Sequence, residues 1–496
     1  MSTSRREFIK FVVAGAVSAG CPVDLALLSA QTASSPEVDS ESNVICHQVR
    51  DAKVFTLPPV SARHDIVIVG GGISGLSAGY LLRGHDFLLL EKEPHWGGNA
   101  YLMEFQGNAY GTGSAFMEKD EDSAYPFVKE LGLPLLPINS RDPSIIKGHW
   151  VPATWNEGLD KLPYPPSVRE GFKKCKKDLM AINLEKRATE LHNARFSDFL
   201  KPYPPQVKLW WDTFGPSNWG AVSDETSAFM GVDNLQGFAG DEVPDFYTWP
   251  GGLGAISQKL TEILHASSPE RMQSGTTIVA VVPSGKEVQV TYMQGQELKT
   301  VAAKAVIMAT PKFITKYLVH GIPDKQRVAM NQIRYIPYPV VNLIFDKPVY
   351  EKGYDTWCPG NTFTDFIVAD WVVRNQPGYR QKYNILTFYT PLRESDRSKL
   401  LTDAGARQVA VNVLRDFQKL YPGSNVDPIE VHIYRRGHPL YMSTPGLYTQ
   451  VQPVARQPID RIFFANTDSE GPESTTDKAI VAAQRCVKEV QHRLAG

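Results

Sequence analysis

Six residues, Gly70-Gly71-Gly72-Ile73-Ser74-Gly75, follow directly on the β-type run Ile66-Val67-Ile68-Val69, and an acidic residue, Glu91, closes the next apolar run. That spacing is a dinucleotide-binding signature in which each residue has a task. Gly70 turns the chain off the strand, Gly72 brings bare main chain up to a pyrophosphate, and Gly75 lets the next helix pack on the sheet. The helix, expected over Leu76 to Leu82 with Ser74 at its start, aims its N–H groups and positive dipole end at the phosphates. Glu91, followed by Lys92, ends the second strand where ribose hydroxyls would donate to it. A carboxylate there repels a 2′-phosphate, which argues against NADP. A glycine-rich turn alone is weak evidence. Strand, turn, helix, strand and acid in this order make a bound dinucleotide, and with it redox chemistry, the reading.

A second glycine signal follows in Pro94-His95-Trp96-Gly97-Gly98-Asn99 and Asn108-Ala109-Tyr110-Gly111-Thr112-Gly113-Ser114. A nicotinamide site does not need it. FAD, longer and deeply buried, needs main chain to approach at several points, so the cofactor expected is FAD. No His, Cys and carboxylate cluster has metal-ligand spacing, and no CxxCH is present for an attached haem.

The elements that must position these residues give an α/β fold: a discontinuous Rossmann-like FAD-binding domain (64–115, 250–315 and 452–496) with an inserted α+β substrate domain (116–249 and 316–451). Trp249-Pro250-Gly251-Gly252-Leu253 opens a helix over Ala255 to Leu264. Thr276 to Val282 and Val288 to Met293 read as a hairpin around Ser284-Gly285, and Ala305 to Thr310 as a buried strand. Val340 to Phe345 is a strand, Ala404 to Tyr421 a helix, and the tail is a strand from Arg461 followed by a helix with Ile480, Ala483, Val487, Val490 and Leu494 on one face.

The chain has 496 residues, 42% hydrophobic and 21% charged, with a net charge of −1. No basic run points to nucleic acid as a partner. The first thirty residues differ. Ser4-Arg5-Arg6-Glu7-Phe8-Ile9-Lys10 before the mild apolar stretch Phe11 to Gly20 reads as a twin-arginine export signal, which implies the twin-arginine machinery as a partner and a periplasmic location. That route carries folded proteins, which suits a cofactor loaded before export. Cys21 follows a weak lipoprotein-like box, with Ser18 where a large aliphatic residue is usual. Residues 31–63 lack periodicity and read as a linker. Cys46, Cys175, Cys358 and Cys486 have no spacing that demands pairing.

Together these segments resemble the flavin-containing amine oxidase superfamily, from about Asp65 to the C-terminus. Val69 to Gly79, Glu91, Gly97-Gly98, Pro250-Gly251-Gly252, Ala309-Thr310-Pro311 and Gln457 to Ala465 occur in the family's order. Trp96 to Ala100, Met103-Glu104-Phe105 and the exported N-terminus look most like bacterial spermidine dehydrogenase-like proteins. By the resemblance, Gly70, Gly72, Gly75 and Glu91 hold the ADP half, Ile278 offers main-chain groups to adenine, Asp468 meets the ribityl or pyrophosphate region, and Gly113-Ser114 passes beside the isoalloxazine. Two departures matter. Asn99 stands where the family has an arginine, and Val340 or Asn342 where many of its oxidases keep a lysine near flavin N5. The second leans the reading toward a dehydrogenase. The paired tyrosines of the monoamine oxidase cage are also missing, with Pro439 and Ser474 to Thr476 near their places.

The resemblance implies oxidation of an amine, with a polyamine as one form of it, by hydride transfer to flavin N5 and hydrolysis of the imine, electrons passing to oxygen, a quinone or a cytochrome. His438, in Tyr434 to Tyr441, is the candidate for substrate positioning or proton handling, a structural histidine being the equal alternative. Arg435 or Arg436 could receive a substrate carboxylate. Asp241, Glu242, Asp245, Glu470 and Glu473 are candidates to hold a distal ammonium. An amino-acid oxidase or dehydrogenase, a desaturase of an apolar substrate with an aromatic tunnel, and a flavin-bearing protein without a substrate remain open.

Overall fold

The computed structural model describes residues 35–119, 124–240, 245–380, 382–422 and 426–496. The expected export signal and Cys21 lie outside the described residues, as do Asp241 and Glu242.

The run Ile66 to Val69 is buried on both sides, as a strand inside a two-faced parallel sheet must be. Strand Val60–Val69 pairs in parallel with Phe87–Leu90 on one side and with the second half of the long strand Glu297–Met308 on the other. Met272–Gln273 and Ile462–Phe464 extend the parallel set. The first half of Glu297–Met308, part of which also pairs with Val60–Val69, forms on its other edge an antiparallel ladder with Glu287–Gln294, itself paired with Thr276–Ser284. One strand thus serves two sub-sheets. Alternation sends Ile66, Ile68, Phe87, Leu89, Ala305 and Ile307 to a face covered by helices Ile73–Leu81, Gly254–Ser267 and Thr476–Ala495. Val67, Val69, Leu88, Leu90, Val306 and Met308 go to the other face, against the hairpin and helix Asp324–Gln332.

A second sheet has eight strands in the order Glu37–Ser40, Glu430–Arg435, Val340–Phe345, Asn384–Tyr389, Asp365–Val368, Asp355–Trp357, Ser144–Ile146 and His149–Val151. Helix Asp403–Lys419 packs on one face, with Val341, Leu343, Phe345, Phe366 and Phe388. The other face, carrying Val340, Ile344, Ile367, Ile385 and Tyr389, looks toward the first sheet. A layer of helices that includes Pro166–Met180, Pro205–Trp219 and Ala228–Phe238 closes the end of this space with an aromatic core of Trp155, Trp210, Trp211, Phe214 and Trp219.

The linker reading of 31–63 is corrected over its described part. Glu37–Ser40 adds a parallel edge strand beside Glu430–Arg435, and Val44–Arg50 is a helix. A four-residue edge strand is held through its main chain, so the sequence needs no alternation there, and none is visible. Elsewhere the expected elements form with modest shifts of their ends. The first helix runs over Ile73–Leu81, the hairpin over Thr276–Ser284 and Glu287–Gln294, the helix near 404 over Asp403–Lys419, and the strand Val340–Phe345 as expected.

Candidate active site

The glycines of the first turn differ in what they face. Gly70 has φ +104°, a conformation that side-chain-bearing residues rarely adopt. A Cβ on Gly75 would lie 1.8 Å from the Gly70 carbonyl oxygen, so the helix closes on the turn only with glycine there. A Cβ on Gly72 would meet nothing nearer than 3.9 Å. Gly72, the residue before the helix Ile73–Leu81, therefore presents bare main chain to open space, beside Gly97 and Gly98, as a pyrophosphate would require. Glu91 is buried, and its two oxygens accept the main-chain N–H groups of Gly71 (2.5 Å) and Glu93 (2.8 Å). Burial raises its pKa, against the pull of those bonds and of Lys92. Each oxygen keeps a lone pair, so the residues fit an adenosine ribose at this place. The main chain of Thr276 donates to the Glu91 carbonyl (2.8 Å), which sets Ile278 two residues from that end. The ladder bulges between Ile278 and Ala280, where main-chain groups leave the regular pairing.

Three expected ligands are placed differently. Ser74 gives its hydroxyl to the Ala479 carbonyl at 2.8 Å, tying the first helix to the C-terminal one, so its side chain has no part in the cradle. Lys92 turns to Glu93; burial alone would lower its pKa, and Glu41, Glu93 and Glu91 outweigh that and raise it. Asp468, expected at the ribityl chain, is fully buried with both oxygens taken: Lys312 donates from Nζ (2.7 Å) and from its main-chain N (2.6 Å), and Tyr335 from its hydroxyl (2.5 Å). The resemblance could not show this, because Lys312 and Tyr335 lie far away in the chain.

Gly113 and Ser114 sit where the two sheets meet. A Cβ on Gly113 would lie 2.2 Å from the Asn99 carbonyl oxygen, the Ser114 N–H reaches that oxygen at 3.3 Å, and the Ser114 carbonyl accepts from Leu253. From the second sheet, the Tyr389 hydroxyl donates to the Gly113 carbonyl at 2.8 Å. Asn99 gives its amide to the Pro439 carbonyl (3.1 Å), so the residue standing in the arginine's place joins the two halves.

Asn342 is buried on the inward face of the second sheet, its side-chain oxygen taken by Thr387 (2.6 Å) and its amide directed at the Gly111 carbonyl (3.4 Å). With Val340 beside it on that face, no amine stands at either lysine position. His438 stacks on Phe313 with ring centres 4.3 Å apart. Burial first, then the charges of Arg397, His47, Arg50 and Lys316, lower its pKa to about 4, so the ring is neutral at pH 7. Arg435 pairs with Asp403 (3.1 Å) and Arg436 with Asp39 (3.5 Å) through Nη1, while the buried Nη2 of Arg436 has no hydrogen-bond partner. Glu470 is held between Arg456 and Arg485, and Asp245 lies by Lys119 at the surface. Glu473 differs from these two: burial, reinforced by Asp233, lifts its carboxyl to about 7.

Residues that sequence reading missed complete the site. Tyr338, Tyr354 and Tyr389 carry deeply buried hydroxyls on the inward side, and Asp142, Asp355 and Asp365 bring three carboxyls near them. Burial, then mutual repulsion, raises Asp355 well above the usual carboxylate range. The available signal was an acid inside short apolar strands, as in Asp355-Thr356-Trp357 and Asp365-Phe366-Ile367, which is costly unless it serves a purpose.

A family model described as flavin-containing amine oxidoreductase matches residues 73–491. The oxidoreductase PigB of Serratia sp. (strain ATCC 39006) is 22% identical over 83% of this chain and 73% of its own. The flavin-containing amine oxidase A of Equus caballus is 23% identical over 87% of this chain and 85% of its own. Among solved structures, wild-type putrescine oxidase bound to putrescine superposes with a TM-score of 0.68 at 16% identity, covering 87% of this chain and 99% of that one.

Proposed function

The chain belongs to the flavin-containing amine oxidoreductase family, an FAD-dependent enzyme of amine oxidation, and from that premise we propose that its substrate is a polyamine, that its electrons leave to a quinone or cytochrome rather than to oxygen, and that it works in the periplasm. The cradle at Gly70–Gly75, Glu91 and Gly97–Gly98 would hold FAD, which when bound would supply a hydride acceptor for the amine α-carbon and leave an imine for water to hydrolyse. The protein's part is to hold the amine in a closed, aligned space. The observation that carries this reading is the Gly113–Ser114 segment, hung between the Gly72–Gly98 cradle and the inward face of the second sheet by Tyr389. A substrate beside that segment would lie between the cradle on one side and tyrosines on the other.

The acceptor reading is supported by Asn342, whose amide is held by Thr387 and Gly111 and offers no cation near the reacting edge. At Arg435 a substrate carboxylate is disfavoured because Asp403 engages that side chain. An apolar substrate is disfavoured by the carboxyls on the inward face. The periplasmic reading is supported by Arg5-Arg6 and the stretch after them.

The test is anaerobic titration of the holoenzyme with amines, amino acids and apolar substrates, followed by mixing of the reduced enzyme with air or with a soluble quinone. Bleaching of the flavin by polyamines and fast reoxidation by quinone but not by air are expected. Bleaching by amino acids alone would replace the substrate reading, and fast reoxidation by air the acceptor reading. Retention of the protein in the cytoplasm of cells that carry the native N-terminus would remove the periplasmic one.

A further inference from the structure

Asp355 and Trp357 stand two apart on one strand, and Trp357 pairs across the ladder with Asp365. Side chains alternate along strands, so Asp355, Trp357 and Asp365 share one face. Trp357 is also a wall of a cavity lined by Asp142, Trp155, Trp210, Phe214 and Phe246. The Asp142 carboxylate accepts from Trp357 Nε1 at 3.3 Å, and Asp365 accepts from the Thr364 hydroxyl at 2.5 Å. Asp355 is only 3% exposed, and its Oδ1 has no hydrogen-bond partner. Among the described residues, no lysine, arginine or histidine forms an ion pair with any of the three, and no set of three or more His, Cys, Asp or Glu side chains is placed to hold a metal ion. Arg141, which also lines the cavity, donates to the Gly240 carbonyl at 2.9 Å.

Burial raises the pKa of all three carboxyls, which favours their neutral form, and the buried Asp355 oxygen without a hydrogen-bond partner still costs about 1–3 kcal/mol. Nothing in the packing of the strands accounts for that cost. The walls suggest what does, because indole and phenyl faces attract an organic cation through their quadrupoles. The place is also right. Asp365 pairs across the ladder with Tyr389, whose hydroxyl holds Gly113, and the cavity wall Phe246 packs on Phe116, two residues past Ser114.

We propose that Asp142, on the wall of this aromatic cavity, together with Asp355 and Asp365, which share a sheet face with its wall Trp357, binds the distal ammonium of a di- or polyamine whose reacting amine lies beside Gly113–Ser114. This rests on the amine reading above and adds the residues that select a second positive charge. Asp355 is the specificity-determining residue, with Asp365 and Asp142 sharing the charge. None of the five carboxylates picked out in the sequence belongs to this set.

The test measures anaerobic bleaching of the holoenzyme by a series of α,ω-diamines, each against the amino alcohol of equal length, in which hydroxyl replaces the far amine. A charge-assisted contact of ordinary strength predicts half-bleaching at about 30-fold lower concentration for the best diamine than for its amino alcohol. In Asp355→Asn and Asp365→Asn that ratio falls toward one. If the variants fail to fold, the wild-type series alone decides. Equal half-bleaching by diamine and amino alcohol would overturn the proposal while leaving amine oxidation intact. Bleaching by ω-amino acids at lower concentration than by diamines would overturn it in favour of a carboxylate bound at Arg141. No bleaching by any amine would remove the amine reading and this proposal with it.

Discussion

Lys312 and Asp468, both without solvent contact, face each other at 2.7 Å, and Tyr335 closes the same carboxylate from the other side. Lys312 opens the short helix after the strand Glu297–Met308, whereas Asp468 follows the last strand of the same sheet, so the pair pins two chain segments where the sheet ends. Burial draws the Lys312 pKa down, and Asp468 acts against that. Removing one partner leaves the other charge buried alone, which costs about 3–5 kcal/mol. Lys312→Met should therefore lower the stability of the apoprotein in urea by about that amount, and Lys312→Met with Asp468→Leu should recover part of it. A single variant as stable as the parent would show that water reaches the pair.

His438 carries a pH prediction with a definite sign. Its folded pKa, about 4, lies below the ordinary value of about 6.5 for an unfolded histidine. The unfolded chain then takes up the proton first, so the stability due to neutral His438 is whole above about pH 6.5 and is lost as pH falls through 4. Partial exposure limits the effect to on the order of 2 kcal/mol. His438→Phe keeps the stack on Phe313 and should flatten the fall in Tm between pH 6.5 and 4. A proton-transfer role would show differently, as a His438-dependent inflection in kcat between pH 6 and 8, and a neutral ring with that pKa gives none.

The strand Glu37–Ser40 and the residues just after it hold both halves of the molecule. Asp39 accepts from the Tyr101 hydroxyl (3.1 Å) and pairs with Arg436, Glu41 accepts from the Gly437 N–H, and the Ser42 N–H donates to Glu93, two residues from Glu91. This stretch therefore lies over the ribose end of the cradle. A chain beginning at residue 51 should fold around the parallel sheet yet hold FAD about 10-fold less tightly, since only a few hydrogen bonds of ordinary strength near the cradle are lost. Flavin fluorescence on dilution reads the release, and equal retention in both forms would refute the role.

The parallel sheet was legible because its signals are local: an apolar run, glycines at fixed offsets and an acid after the next run all lie between Ile66 and Glu91. The edge strand at Glu37 was not, because main-chain pairing to a strand almost four hundred residues later leaves no side-chain pattern. Ser74 and Asp468 carry the chemistry of ligands, and only their partners, Ala479 and Lys312, reveal that they hold the fold together. The carboxyls of Asp142, Asp355 and Asp365 come from three segments that meet only when the second sheet forms. Asp355 and Asp365 each stand out only as an acid within a short apolar strand, Asp142 not at all, and their significance lies in being brought together.

Two glycines, Gly72 and Gly75, stand three residues apart in sequence and separate folding from cofactor binding. Gly75→Ala would place a Cβ 1.8 Å from the Gly70 carbonyl oxygen, a contact with main chain that cannot swing aside. The turn must open, and the helix with eight of its nine residues from Ile73 to Leu81 buried must leave the sheet with it. Gly75→Ala is therefore expected to give insoluble or molten protein. At Gly72 the backbone is extended, with φ −74° and ψ −176°, and an added methyl meets nothing within 3.9 Å. Alanine is poorer than glycine before a helix by a few tenths of a kcal/mol, and lowers the entropy of the unfolded chain by a similar amount, so the stability of the apoprotein should change by less than about 1 kcal/mol. The methyl does occupy the space against which a pyrophosphate would lie. Gly72→Ala should then be a folded, colourless protein that does not take up FAD on reconstitution, checked by circular dichroism and flavin absorbance. A yellow, active Gly72→Ala enzyme would show that the diphosphate does not rest on this turn.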